Sequence, residues 1–143
     1  MKKELSSMGE DYKIWLYRAK SNLKIAKIPK NYDIAYEDLC FEAQQCAEKS
    51  LKALLVVHNE ELTKTHSFGV LIAKLEKYME VPNEIRQVGE LSDYAVQTRY
   101  PGDYVEIGED EYKKAIELAE RIYHWAEKEA CGVPDKNHDN QNL

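Results

Sequence analysis

From Asn31 to His58 the chain contains neither glycine nor proline. Apolar residues return there every three or four positions, the spacing of a long amphipathic helix. At helical spacing Phe41, Gln44, Glu48, Leu51, Leu55 and His58 share one stripe, while Leu39, Ala43, Cys46, Ala47, Ser50, Leu54 and Val57 make the adjoining apolar face. Amides and a carboxylate therefore interrupt a stripe that also carries Phe and Leu. Buried polar groups must find partners. Two readings follow. In the plainer one these are helix-edge positions, with Glu48 and Lys52 forming an exposed pair four residues apart. In the other the polar residues gather at a site.

Shorter periodic runs flank this helix, which is expected to begin at Asn31 or Asp33. Tyr12, Trp15, Leu16, Ala19, Leu23 and Ala26 predict a first helix over about 10–27, ended by Pro29 because the residue before a proline avoids helical geometry. Asn59-Glu60-Glu61 breaks the second. Ser67 or Thr65 can cap a third helix carrying Phe68, Val70, Leu71, Leu75 and Tyr78. Pro82 suits the first turn of a fourth, with Ile85, Val88, Leu91, Tyr94, Ala95 and Thr98 facing inward. Tyr100-Pro101-Gly102-Asp103 is a turn signal that must end it near Arg99. Glu109-Asp110-Glu111 opens a fifth helix with its acids at the positive end of the dipole. Tyr112, Ala115, Ile116, Ala119, Ile122, Tyr123 and Ala126 follow, and Cys131-Gly132-Val133-Pro134 stops it. No alternating strand pattern occurs. The expected fold is all-α: an up-and-down bundle of four main helices plus a short extra one, over 10–130, with a flexible 1–9 and a disordered tail over 131–143.

At 143 residues this is the length of one domain. A formal net charge of −6 disfavours coating of nucleic acid or of anionic membranes, both of which need a basic footprint. No run approaches the roughly 20 apolar residues of a membrane span, and 1–13 lacks an apolar core of the signal-peptide kind, so a cytoplasmic location is expected. Cys40, Cys46 and Cys131 are odd in number and form no CxxC, which points to free thiols.

Metal ligation is not expected, since His58, His66, His124 and His138 do not pair with one another or with Cys at ligand spacing. Phosphate-loop, dinucleotide and nucleophile-elbow motifs are missing, and no cofactor is implied. Two polar places remain outside the long helix: Thr65-His66 in the connection before the third helix, and Arg99-Tyr100-Pro101 at the end of the fourth. A loop histidine serves as a cap often enough, and an arginine suits any helix C-terminus.

Together these residues resemble the HEPN domain family, named for higher eukaryotes, prokaryotes and nucleotide binding. The resemblance rests on Trp15–Leu23, on Gln44-Gln45-Cys46-Ala47-Glu48-Lys49-Ser50-Leu51-Lys52-Ala53, on Thr65-His66 with Leu71 after it, and on Leu91, Tyr94 and Arg99-Tyr100-Pro101. It spans about residues 10–130. It implies a helical bundle that often forms homodimers and that is paired with a minimal nucleotidyltransferase, often as toxin and antitoxin.

Many HEPN proteins are metal-independent ribonucleases whose Arg is followed four to six residues later by His. Here Tyr104, Val105 and Glu106 occupy the positions after Arg99 where that His would stand. The resemblance thus implies a binding module, with Gln44, Gln45, Glu48, Lys49, Lys52, His66, Arg99 and Tyr100 around a nucleotide, RNA or other phosphate-bearing ligand. Lys49, Lys52, His66 and Arg99 would meet the phosphate, Tyr100 would stack on a base, and Gln44, Gln45 and Glu48 would orient them. The rival is a ribonuclease toxin using Arg99 with His66 or Tyr104. A third reading is a purely structural helical subunit.

Overall fold

The computed structural model describes residues 11–62, 64, 67–88 and 107–133. Among them every regular element is a helix: α1 Asp11–Ala26, α2 Tyr36–Val57, α3 Phe68–Leu75, α4 Asn83–Arg86 and α5 Glu109–Gly132. The fold is the expected all-α bundle. Its long helix α2 packs against α1 on one side and α5 on the other, and α1 also meets α5. The fourth expected helix is described only through Val88. Ile85 and Val88 are buried as its pattern requires, while Leu91, Tyr94, Ala95 and Thr98 lie outside the described residues.

The long helix starts later than its apolar pattern suggested, because Asn31 is spent on a turn. Its Oδ1 accepts from the Asp33 backbone N–H at 2.8 Å, and its carbonyl accepts from Ile34 at 3.2 Å. An Asx turn uses the same side-chain chemistry as a helix cap, so the chain does not enter α2 until Ala35, which is extended. The other end matches its sequence signal. Asn59 takes the left-handed conformation, φ 61°. Its N–H reaches Val56 O, and Glu60 N–H reaches Leu55 O, each at 2.9 Å. This is the Schellman closure, which asparagine tolerates better than other side-chain-bearing residues.

Small residues set how closely the helices approach. Ala43, Cys46, Ala47 and Ser50 of α2 are fully buried, as are Ala115, Ala119 and Ala126 of α5. Cys46 Sγ comes within 3.9 Å of Ala119 O, and the buried Ser50 hydroxyl donates back to Cys46 O at 2.8 Å, so no polar atom of that seam is stranded. Leu51, Leu54, Leu55, Phe68, Leu71 and Leu75 fill the wider part of the core. Tyr112 of α5 donates to Ala26 O at 2.8 Å, satisfying a carbonyl at the C-terminal end of α1.

Caps define the remaining starts. Ser67 Oγ accepts from Val70 N–H at 3.3 Å, so the serine heads α3. Glu111 reaches back to accept from Gly108 N–H at 3.1 Å at the head of α5. Helix α3 closes at Leu75, whose carbonyl takes the N–H groups of Tyr78 and Met79. Tyr78 is thereby turned outward, 42% exposed, and is not the core residue its spacing suggested. No helix among the described residues is long and apolar enough to cross a membrane.

Candidate functional site

The polar residues of α2 divide between two adjoining faces. Gln44, Glu48 and Lys52 lie four apart on one line, and all three are buried, at 2%, 4% and 7% exposure. Lys52 Nζ donates to Glu48 Oε2 at 2.9 Å. The plainer expectation, an exposed Glu48–Lys52 pair, is therefore wrong. The reason is tertiary: Trp15 of α1 lies over the lysine, with Nζ 5.6 Å from the ring centroid, and covers what would otherwise be helix surface. Taking both charges out of water costs several kcal/mol per ion unless geometry and further hydrogen bonds offset it. Gln44 Oε1 is buried and accepts no hydrogen bond among the described residues.

Gln45 and Lys49 occupy the neighbouring face and are half-buried. Lys49 Nζ donates to Asn22 Oδ1 of α1 at 2.8 Å. The same amide donates from Nδ2 to Glu42 Oε1 at 2.6 Å. An ammonium can only donate and a carboxylate can only accept, so the two charges fix the amide's orientation, and the amide fixes the ammonium. Burial lowers the pKa of Lys49 from its ordinary value, the Arg18 guanidinium lowers it further, and Glu42 and Glu48 act more weakly in the opposite sense.

Beside this pair α1 and α2 enclose a cleft of about 410 Å³, lined by Ile14, Trp15, Arg18 and Lys49. Among the described residues, neither Arg18 nor Lys49 forms an ion pair. Elsewhere cations do find carboxylates: Lys27 with Glu120, Lys77 with Glu60, Arg86 with Glu76 and Arg121 with Glu117. Glu42 reaches Lys49 only through the Asn22 amide, so two cations without a direct carboxylate contact lie beside an indole and an aliphatic wall, an arrangement that can hold an anion carrying an apolar body. Among the described residues these surroundings contain no carboxylate–histidine pair suited to acid–base work.

Of the residues expected at a site, the structure brings Lys49 and Lys52 to the α1 side of α2 and buries Gln44 and Glu48 beside them. His66, Arg99, Tyr100 and Tyr104 lie outside the described residues. Sequence reasoning passed over two residues. Trp15 stands within the apolar pattern of the first helix, and Arg18 carries no motif of its own. Their three-residue spacing does put a ring and a cation on one helix face, but only the packing of α1 on α2 adds Lys49 to them.

One family model and one solved structure carry the same family name. The HEPN domain model matches residues 12–129. The fold is similar to ST0689, described as an archaeal HEPN homologue, with 29% identity and a TM-score of 0.66 over 83% of this chain and 97% of that one. It is also similar to TT1696 from Thermus thermophilus, again at 29% identity, with a TM-score of 0.71 over 82% of this chain and 96% of that one. No curated protein matches the sequence. With the family model spanning most of the chain and its bundle reproduced in solved relatives, the protein belongs to the HEPN domain family.

Proposed function

We propose that this chain is a HEPN binding module that holds a nucleotide or other phosphate-bearing ligand against α2, and that it works as a homodimer with a minimal nucleotidyltransferase in a two-component, toxin–antitoxin-like pair. The observation that carries the ligand half is the placement of Lys49. Asn22 holds its ammonium at 2.8 Å, it lines a cleft, and it has no carboxylate of its own among the described residues. A cation held in place by an amide, with no carboxylate in direct contact, suits a phosphate group.

In this reading Lys52 adds positive charge from behind Trp15, and Gln44, Gln45 and Glu48 set the orientation of the lysines. His66, Arg99 and Tyr100 complete the ligand shell. The partnership half rests on family membership. A net charge of −6 fits a module that recognises one ligand better than one that coats RNA.

Isothermal titration with ATP, AMP and a short RNA tests the ligand half. Saturable heat with any of them supports it, and no heat with all three at millimolar concentration overturns it. Affinity purification from the native host, followed by mass spectrometry, tests the partnership. A nucleotidyltransferase in the eluate supports it, and a clean homodimer removes it.

A further inference from the structure

The α1 side of the cleft carries chemistry that the α2 residues alone do not. Arg18 is exposed, has a planar guanidinium with five donors, and shares the cleft with Lys49. Two like charges brought together cost free energy unless something negative lies between them. Asn22 holds Lys49 in place from the side, so its ammonium cannot swing away freely. Trp15 has the Lys52 ammonium 5.6 Å from its ring centroid and also lines the cleft, with Ile14 beside it. A half-buried indole at the cleft wall offers a surface on which a flat ring can stack, and base-on-aromatic stacking tolerates any base.

Resting on the nucleotide reading above, we propose that the Ile14–Trp15–Arg18–Lys49 cleft is the ligand's binding subsite, and that it selects a mononucleotide. The phosphate bridges Arg18 and Lys49, and the base lies against Trp15. A cleft of about 410 Å³ is in the range of small-molecule sites and suits one nucleotide rather than a folded RNA. The subsite therefore requires both halves of its ligand on one molecule: an anion without a ring, or a ring without an anion, satisfies only part of it.

The chain has two tryptophans, Trp15 and Trp125. In a Trp125→Phe background, checked for fold by circular dichroism, the remaining fluorescence reports on Trp15. If that background fails to fold, the natural chain is compared with Trp15→Phe, and the ligand-induced quench must vanish in the variant. AMP is expected to quench saturably. Adenosine and inorganic phosphate are each expected to bind more weakly by about tenfold or more, what one charge-assisted or stacking contact is worth. Arg18→Glu, at an exposed position that leaves the core intact, is expected to weaken AMP by a similar factor without lowering Tm, since it also relieves the Arg18–Lys49 repulsion.

The proposal is overturned if Arg18→Glu binds AMP as the parent does, or if adenosine or phosphate alone matches AMP. Calorimetric heat with AMP but a silent Trp15 overturns this subsite and leaves the proposed function standing. No heat with ATP, AMP or RNA removes both.

Discussion

Asn22 and Lys49 join α1 to α2 through one hydrogen bond, from Nζ to Oδ1 at 2.8 Å. The bond does two things: it links two helices and it aims a cation into the cleft. Replacing Asn22 by Ala removes it and also the 2.6 Å bond to Glu42. Net loss for a part-buried charged contact of this kind is about 1–2 kcal/mol. Urea unfolding of Asn22→Ala is expected to show that loss as a lower midpoint at unchanged slope. A variant as stable as the parent would mean that the amide is bystander surface.

The Glu48–Lys52 pair makes a sharper prediction because it is buried. Lys52→Met removes the buried ammonium from which Glu48 Oε2 accepts and is expected to cost about 1–3 kcal/mol. Adding Glu48→Gln to that variant is expected to recover part of the loss, because a neutral amide costs less to bury than a carboxylate that has lost its lysine. Additive losses in the double-mutant cycle would show that the two side chains act independently.

Both pairs show where sequence could and could not speak. The four-residue spacing of Glu48 and Lys52 was visible, but their burial was not, since it depends on which residue of α1 comes to rest over them. Trp15 does so, and the rotation of α1 that puts it there also brings Arg18 to Lys49. Local signals fared better. The absence of glycine and proline announced α2, Asn59 marked its end, and Ser67 its successor. Asn31 misled because a turn and a cap use the same carbonyl oxygen.

Thiol chemistry separates the three cysteines. Cys40 and Cys46 are fully buried and Cys131 is exposed. Burial pushes the Cys46 pKa up to about 12, against a smaller opposing effect of its Ser50 contact. The reactive thiolate is thus suppressed in the core. Counting thiols with Ellman's reagent is expected to give one fast reaction in the native protein, assigned by Cys131→Ser, and the other two only after unfolding. Rapid native reaction at Cys46 would contradict the packing of α2 on α5.

His58 predicts a pH dependence. Its ring stacks on Tyr78 with centroids 4.8 Å apart and planes 9° from parallel. Tyr78 donates to Glu60, which also takes Lys77 Nζ at 3.1 Å. Burial lowers the His58 pKa below its ordinary 6.5. The unfolded chain therefore binds this proton first. The stability that neutral His58 contributes is complete above pH 6.5 and is lost as pH falls from there through the lower folded value. Urea midpoints at about pH 7.5 and about pH 5.5 are expected to differ less in His58→Phe than in the parent. An equal difference would show that the loss comes from other groups.

The most direct test of the ligand site is a two-dimensional nitrogen–proton NMR titration of the protein with AMP. If the α1–α2 cleft holds the nucleotide, the Trp15 indole N–H and the Asn22 side-chain amide shift together and saturate at one AMP per chain, while the Trp125 indole on α5 stays in place. If no resonance moves at millimolar AMP, or if the shifts fall elsewhere and leave Trp15 and Asn22 untouched, the cleft is not the ligand site.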